Sequence, residues 1–119
     1  MQKGRAQPVE PFKRISAAEA KAMIDKSKVK VVDVREMNEY VEKHIPGVKL
    51  IPVNDLYTRV HELGEDKNQH IIFTCAVGVR SALAAELAAA FGYKNLYNLE
   101  GGTDAWVASK YPISTGNNP

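Results

Sequence analysis

The segment CAVGVRS, residues 75–81, holds the chain's only cysteine and is the clearest candidate for chemistry. Cys75 follows the apolar run HIIFT, and the residues between it and Arg80 are small or apolar: Ala76, Val77, Gly78 and Val79. A tight turn from a strand into a helix directs backbone N–H groups inward, and the helix dipole strengthens their attraction for an anion. Gly78 supplies the backbone freedom of such a turn. The pattern predicts a reactive thiolate held by loop amides and by the forked cation of Arg80.

Two other interpretations of Cys75 compete with this one. A lone cysteine after an apolar run is often only a small buried hydrophobe, but Gly78 and Arg80 at a strand–helix junction favour function. A Cys–His pair would need a histidine base, and the candidates are His44, His61 and His70. On an extended strand His70 would lie about 16 Å from Cys75, out of reach. The sequence therefore favours a thiolate that needs no base. It also favours surface or structural roles for the three histidines.

The elements that would position the loop alternate along the chain. Short apolar runs predict strands at 29–34, 48–53, 70–74 and 95–99. Helices are predicted from a capping box at Ser16 and Glu19, over 36–43, after an Asn54 cap, just after Ser81 and over 103–110. The helix after Ser81 carries an apolar stripe of Leu83, Leu87 and Phe91. This order predicts an α/β domain with a mostly parallel central sheet and helices on both faces. Ligands of such folds bind at the carboxyl ends of the strands, where Cys75 lies.

Composition limits the partners. The 119 residues suit one domain, with 1–11 as a flexible lead-in, 12–112 as the domain and 113–119 as a frayed tail. A net charge of +2 without a basic stripe argues against nucleic acid. No apolar run approaches the roughly 20 residues that cross a bilayer, and the polar start lacks the apolar middle of a signal peptide. One cysteine excludes an internal disulfide, so we expect a cytoplasmic protein with no membrane partner.

Four segments resemble the rhodanese family, of the single-domain sulfurtransferase kind, over roughly residues 12–112. They are VVDVRE at 31–36, EYVEKHIPGVKLIPV at 39–53, CAVGVRS at 75–81 and LEGGTDAW at 99–106. The loop fits the C-x-x-G-x-[RT] pattern of active members. Lys43 and Val48 depart from the usual Gly and Ala. Ala76 stands where many thiosulfate-using members carry a basic residue, which bears on the preferred donor.

The resemblance implies a role for each matching residue. Cys75 would take up a sulfane sulfur as a persulfide from thiosulfate or another small anionic donor, and pass it to cyanide or to a thiol or protein acceptor. The amides of residues 76–80 would cradle that sulfur, and Arg80 would hold the loop or the donor. Asp33 and Arg35 would border the pocket, or else form a surface ion pair at a strand end. Trp106 and the 101–102 glycines would be structural, and neither metal nor cofactor is implied.

Three other functions stay open at this point. A phosphatase of the cysteine-loop kind resembles C-x5-R, whereas only four residues separate Cys75 from Arg80 here, which makes a smaller cup. The same fold also serves as a non-catalytic binding module, although inactive members commonly lack the cysteine. A persulfide carrier that receives sulfur from a partner protein would share the chemistry and differ only in the donor.

Overall fold

The computed structural model of the protein describes residues 9–26 and 28–119, so residues 1–8 of the predicted lead-in lie outside the described part. Its centre is a five-stranded sheet in the order β1-β5-β4-β2-β3. The strands are β1 (Lys13–Ile15), β2 (Val29–Asp33), β3 (Lys49–Leu50), β4 (His70–Thr74) and β5 (Asn95–Leu99). Every pairing between them is parallel, which confirms the predicted fold class. All five strands therefore place their carboxyl ends at one edge of the sheet.

The strands differ from the prediction at the two edges of the sheet. β1 was not predicted, because it has three residues of which two are charged. β3 covers two residues of the predicted run 48–53. Pro52 lies two residues after it, and the chain turns into a 3-10 helix at Val53. The central strands β2, β4 and β5 match the predicted runs closely, since most of their residues are buried.

The described residues form the α-helices α1 (Ala17–Asp25), α2 (Met37–Glu42), α3 (Leu56–Arg59), α4 (Val79–Ala90) and α5 (Gly102–Ala108). The first four lie between consecutive strands, and α5 follows β5. The predicted capping box of α1 is confirmed, with the Ser16 hydroxyl 3.1 Å from the Glu19 amide that donates to it. The predicted Asn54 cap is wrong. Asn54 lies within a 3-10 turn at Val53–Asp55, and α3 begins at Leu56 without a side-chain cap.

The core has two layers, one on each face of the sheet. One contains Val32, Phe73 and Cys75 with residues of α3 and α4, and the other contains Val31, Ile72 and Trp106 with residues of α1, α2 and α5. Alternate residues of β2 and β4 point to opposite faces, as the pleat of a strand requires. Helices therefore cover both faces.

Helix α4 packs on the sheet through small side chains. Its buried residues are Ser81, Ala84, Ala85 and Ala88. Leu83, from the predicted apolar stripe, is 59% exposed, and Phe91 is 36% exposed. The stripe is therefore not the buried face of the helix. That face consists of small residues, mostly alanines, because only small side chains let α4 lie close to β4 and β5.

The C-terminal residues, for which the sequence predicts fraying, make hydrogen bonds to the last turn of α2 and to the segment that follows it. Ser114 and His44 exchange two backbone hydrogen bonds of 2.8 and 2.9 Å, and the Gly116 amide donates to the Val41 carbonyl at 2.7 Å. The domain limits stay a prediction. Within residues 9–26 and 28–119, none of the helices has the length and apolar character needed to span a membrane.

Candidate active site

Cys75 lies at the carboxyl end of β4, directly after Thr74, and is 1% exposed. Its sulfur accepts a hydrogen bond from the Gly78 amide at 3.1 Å and another from the Ser81 amide at 3.3 Å. The predicted turn is therefore present, with its amides directed at the sulfur. The following helix begins at Val79 and not after Ser81, as the sequence had predicted. The Ser81 amide thus belongs to the first turn of α4, where N–H groups lack partners within the helix.

Gly78 makes this turn possible. Its φ is +103°, in the left-handed region that side chains disfavour. A Cβ at this position would lie 3.3 Å from the Leu99 carbonyl oxygen of β5, which is tighter than an ordinary contact. The Gly78 assignment from the sequence therefore matches the backbone geometry.

Ser81 and Asn98 complete the surroundings of the sulfur, and sequence reasoning did not select either. The Ser81 Oγ lies 3.3 Å from the Cys75 Sγ and donates to the Asn98 Oδ1. Asn98 is fully buried in β5, and its Nδ2 donates to the Gly78 carbonyl at 3.0 Å. The serine was visible in the motif at the residue after Arg80. The asparagine gave no signal, because only the pairing of β4 with β5 places it beside the loop.

Two opposing effects set the pKa of the Cys75 thiol. Burial raises it, because removal from water disfavours the thiolate. Hydrogen bonds from the Ser81 hydroxyl and from the amides of Ser81, Gly78 and Val77 lower it. The hydrogen bonds outweigh burial, so the pKa of Cys75 lies below its ordinary value. The loop thus favours the reactive form of the thiol.

The start of α5 fixes the loop from its other side. The Thr103 amide donates to the Cys75 carbonyl at 2.7 Å, and the Asp104 amide donates to the Ala76 carbonyl at 3.1 Å. Gly102 has a φ of +62°, and a Cβ there would lie 2.5 Å from both of those carbonyl oxygens. The absence of a side chain at Gly102 therefore permits two backbone segments to approach closely, and it also permits the predicted tight turn.

Arg80 is held by a carboxylate of α2. Its Nη1 and Nη2 donate to the two carboxylate oxygens of Glu39 at 2.8 and 2.9 Å. Glu39 also accepts from the Glu36 amide at 3.0 Å. The Arg80 hydrogen bonds lower the pKa of Glu39 to about 2, so the carboxylate is ionised at neutral pH. Of the two roles expected for Arg80, this contact matches the holding of the loop.

Asp33 and Arg35 form a buried ion pair at the end of β2. The Arg35 Nη2 lies 2.7 Å from the Asp33 Oδ2, and the two residues are 5% and 0% exposed. The same nitrogen donates to the Lys43 carbonyl at 2.8 Å. The pair therefore joins the end of β2 to the residue after α2. It is buried, so it is not the surface ion pair that the sequence analysis considered as an alternative. Its role as a pocket border stays a prediction.

The histidines have other partners than the thiol. His44 is buried, with its Nδ1 2.8 Å from the Tyr40 carbonyl and its Nε2 2.6 Å from the Asn118 carbonyl. His70, at the opposite end of β4 from Cys75, has its Nδ1 2.7 Å from the Tyr97 hydroxyl. His61 is exposed at the surface. The groups that bond the Cys75 sulfur belong to its own loop and to the start of α4, Gly78 and Ser81 among them.

A comparison with protein families decides the class of this loop. The family model of the Rhodanese-like domain matches residues 16–109, which include every part of the site described above. The chain belongs to the rhodanese family. This membership agrees with the parallel sheet and with the position of Cys75 at its carboxyl edge.

Similar rhodanese-family proteins have names from two kinds of sulfur chemistry. The thiosulfate sulfurtransferase GlpE of Pseudoalteromonas translucida is 33% identical over 98 residues, which cover 82% of this chain and 91% of that protein. The "Putative sulfur carrier protein YrkF" of Bacillus subtilis is 39% identical over 77 residues, 65% of this chain and 40% of that protein. A crystal structure of a rhodanese-related protein from Thermoplasma volcanium matches with a TM-score of 0.77 at 30% identity, covering 86% of this chain and 97% of that one. Family and relatives together make this chain sulfurtransferase-like.

Proposed function

We propose that this rhodanese domain is a sulfurtransferase that moves a sulfane sulfur through a persulfide on Cys75. The observation that carries the proposal is the set of groups around the sulfur: the Gly78 amide donates to it at 3.1 Å and the Ser81 amide at 3.3 Å, and the Ser81 hydroxyl, 3.3 Å away, can turn to donate to the thiolate. These donors favour an anion at this atom, which both a thiolate nucleophile and its persulfide product require. A cysteine that served only for packing would not need them.

The proposed reaction has two displacement steps. In the first, the Cys75 thiolate attacks the outer sulfur of thiosulfate, a sulfur–sulfur bond forms, and sulfite leaves with the electron pair of the broken bond. In the second, cyanide attacks the terminal sulfur of the persulfide and leaves as thiocyanate, which restores the thiolate. A thiol acceptor takes the place of cyanide in the same displacement. Covalent catalysis of this kind divides one difficult transfer into two easier ones.

The loop would hold the transferred sulfur after the first step. The Gly78 and Ser81 amides already bond the Cys75 sulfur, so the other amides of residues 76–80 are the ones left for the outer sulfur. The α4 dipole begins at the same place and favours the negative charge of the persulfide. Asp33 and Arg35 would border this pocket through their hold on the segment after α2.

Sulfur carriage is the second candidate, and the similarity to YrkF favours it. A carrier would use the same Cys75 persulfide but would receive its sulfur from a partner protein. The phosphatase alternative has less support, because only four residues lie between Cys75 and Arg80. A cytoplasmic location stays a prediction for either candidate.

The test is production of thiocyanate by the purified protein supplied with thiosulfate and cyanide. We expect turnover by the wild type and none by Cys75→Ser, because serine keeps the shape but is a far poorer nucleophile. Ser109→Ala, a change at an exposed residue after α5, is the control for substitution itself. Turnover near the wild-type rate in Cys75→Ser would contradict the mechanism. A wild-type protein that can carry a persulfide on Cys75 but does not turn over thiosulfate would favour the carrier.

A further inference from the structure

The rim of the Cys75 loop has an unusual charge balance. Arg80 is the only charged residue of 76–80, since the others are alanine, valine and glycine. Both terminal nitrogens of Arg80 are bonded to the Glu39 carboxylate, at 2.8 and 2.9 Å. A guanidinium in a two-pronged pair with a carboxylate presents little net charge to a third group. The positive charge expected to attract a donor is therefore largely cancelled.

Glu39 is in place to cancel this charge throughout the neutral pH range. Its pKa is lowered to about 2, with the Arg80 hydrogen bonds as the largest cause. The Glu36 amide fixes the same carboxylate at 3.0 Å, as part of the capping box of α2. The backbone of α2 thus holds the carboxylate against Arg80.

The side chains on this rim are apolar and face solvent. Val77 is 58% exposed and Val79 is 73% exposed, on either side of Gly78. Leu83 is 59% exposed and lies one helical turn after Val79, so the two share a face of α4. Such a rim offers contact to an apolar group and no ionic partner to a hydrated sulfonate.

We propose that Glu39 is a specificity-determining residue, which by neutralising Arg80 selects sulfane sulfur donors with one negative charge and an apolar substituent over dianionic thiosulfate. The proposal rests on the proposed function, because it concerns the donor of the same Cys75 persulfide. Alkyl persulfides and alkyl thiosulfonates belong to the favoured class.

Thiosulfate and methanethiosulfonate form a matched pair for the test. The second differs by a methyl group in place of one charged oxygen, so it carries one negative charge fewer. In both reactions the Cys75 thiolate bonds to the sulfane sulfur, and sulfite or methanesulfinate leaves with the electron pair. We would measure kcat/KM for both donors with cyanide as acceptor, at low and at high salt.

The decisive variant is Glu39→Gln, whose amide oxygen still accepts from the Glu36 amide while the charge is lost. Unmasking Arg80 should raise kcat/KM about threefold per negative charge of the donor, hence roughly tenfold for thiosulfate and roughly threefold for methanethiosulfonate. Added salt should remove most of the gain, since exposed charges are screened. A rise that is absent, or equal for the two donors, would overturn the proposal.

Two controls separate charge at the loop from other effects. Glu62→Gln removes the same charge from another arginine pair, with Arg59 at 2.7 and 3.0 Å, and should leave the donor ratio unchanged. Glu39→Asp keeps the charge and should keep the wild-type preference. A changed ratio in Glu62→Gln, or a Glu39→Asp variant that behaves like Glu39→Gln, would count against a local charge effect.

A measurement on the wild type alone also tests the proposal, and it does not require any variant to fold. Because Arg80 is neutralised, kcat/KM for thiosulfate should change little with salt, and a steep fall would show an unpaired cation facing the donor and overturn the proposal. If neither donor places a sulfur on Cys75, the proposed function itself fails. If both donors load Cys75 and the ratio does not respond to Glu39→Gln, only the assignment of Glu39 fails.

Discussion

The hydroxyl oxygen of Ser81 lies 3.3 Å from the Cys75 sulfur while its proton is directed at the Asn98 side chain. A serine hydroxyl has one proton, so it cannot donate to both groups at once. With the thiol form, the S–H can donate to Ser81; with the thiolate, the hydroxyl must turn from Asn98 to the sulfur. Asn98 cannot exchange its two ends freely, because its Nδ2 donates to the Gly78 carbonyl.

Ser81→Ala should therefore raise the pKa of Cys75. The pH dependence of iodoacetamide alkylation measures it, and the wild-type midpoint should lie below the ordinary value of about 8.5. A hydrogen bond to a charged group contributes about 1.5 kcal/mol, which corresponds to a midpoint roughly one pH unit higher in the variant. The limiting rate at high pH should not change. A variant with an unchanged midpoint would mean that Ser81 does not stabilise the thiolate.

Gly102→Ala should displace the loop and reduce sulfur transfer by at least about tenfold. The new Cβ would meet two backbone carbonyl oxygens at 2.5 Å, and backbone cannot move aside as a flexible side chain can. Gly116→Ala is the matched control, because Gly116 has a φ of +64° and nothing within 4 Å of a Cβ. Both variants carry the strain of a left-handed residue, of about 1 kcal/mol, and only Gly102→Ala should lose activity. Equal activities in the two would exclude a role for this close approach.

Ala76→Lys and Ala76→Arg should lower KM for thiosulfate, because a cation at this position would attract the dianion. The gain should shrink as salt is added. Steady-state kinetics at two ionic strengths measure both effects. If KM at low salt stays at the wild-type value in both variants, the side chain of residue 76 does not face the donor.

The contribution of the Glu39–Arg80 pair to the free energy of unfolding should change with pH only in the acid range. The pKa of Glu39 falls from 4.5 to about 2 on folding, so its contribution is complete above about pH 5 and is lost as pH falls through this interval. The two side chains are 31% and 35% exposed, so the contribution should be below about 1 kcal/mol. Urea unfolding of wild type and Glu39→Gln at pH 7, 4 and 3 should show a difference that shrinks in acid. A difference that grows in acid would contradict the pairing.

Local sequence signals predicted the parts of the site that lie on one segment. Cys75, Gly78 and Arg80 lie within six consecutive residues, from the end of β4 to the first turn of α4, and their backbone geometry and chemistry can be inferred from residue types and spacing. The Ser16 capping box and the buried strands β2, β4 and β5 are likewise local patterns, and all are confirmed.

The remaining parts depend on contacts between distant segments. Glu39 and Arg80 are 41 residues apart, and Asn98 reaches Ser81 only because β5 pairs with β4. The close approach of Gly102 to the loop also requires the folded backbone. The apolar stripe beginning at Leu83 does not mark the buried face of α4, because the close packing of this helix on the sheet requires small alanines there.

The most direct test of the central claim is intact mass spectrometry of the protein after exposure to thiosulfate or methanethiosulfonate. The account predicts a gain of one sulfur atom on the wild type, which cyanide or a reductant removes, and no gain on Cys75→Ser. Absence of the gain with both donors, or the same gain on Cys75→Ser, would contradict a persulfide on Cys75.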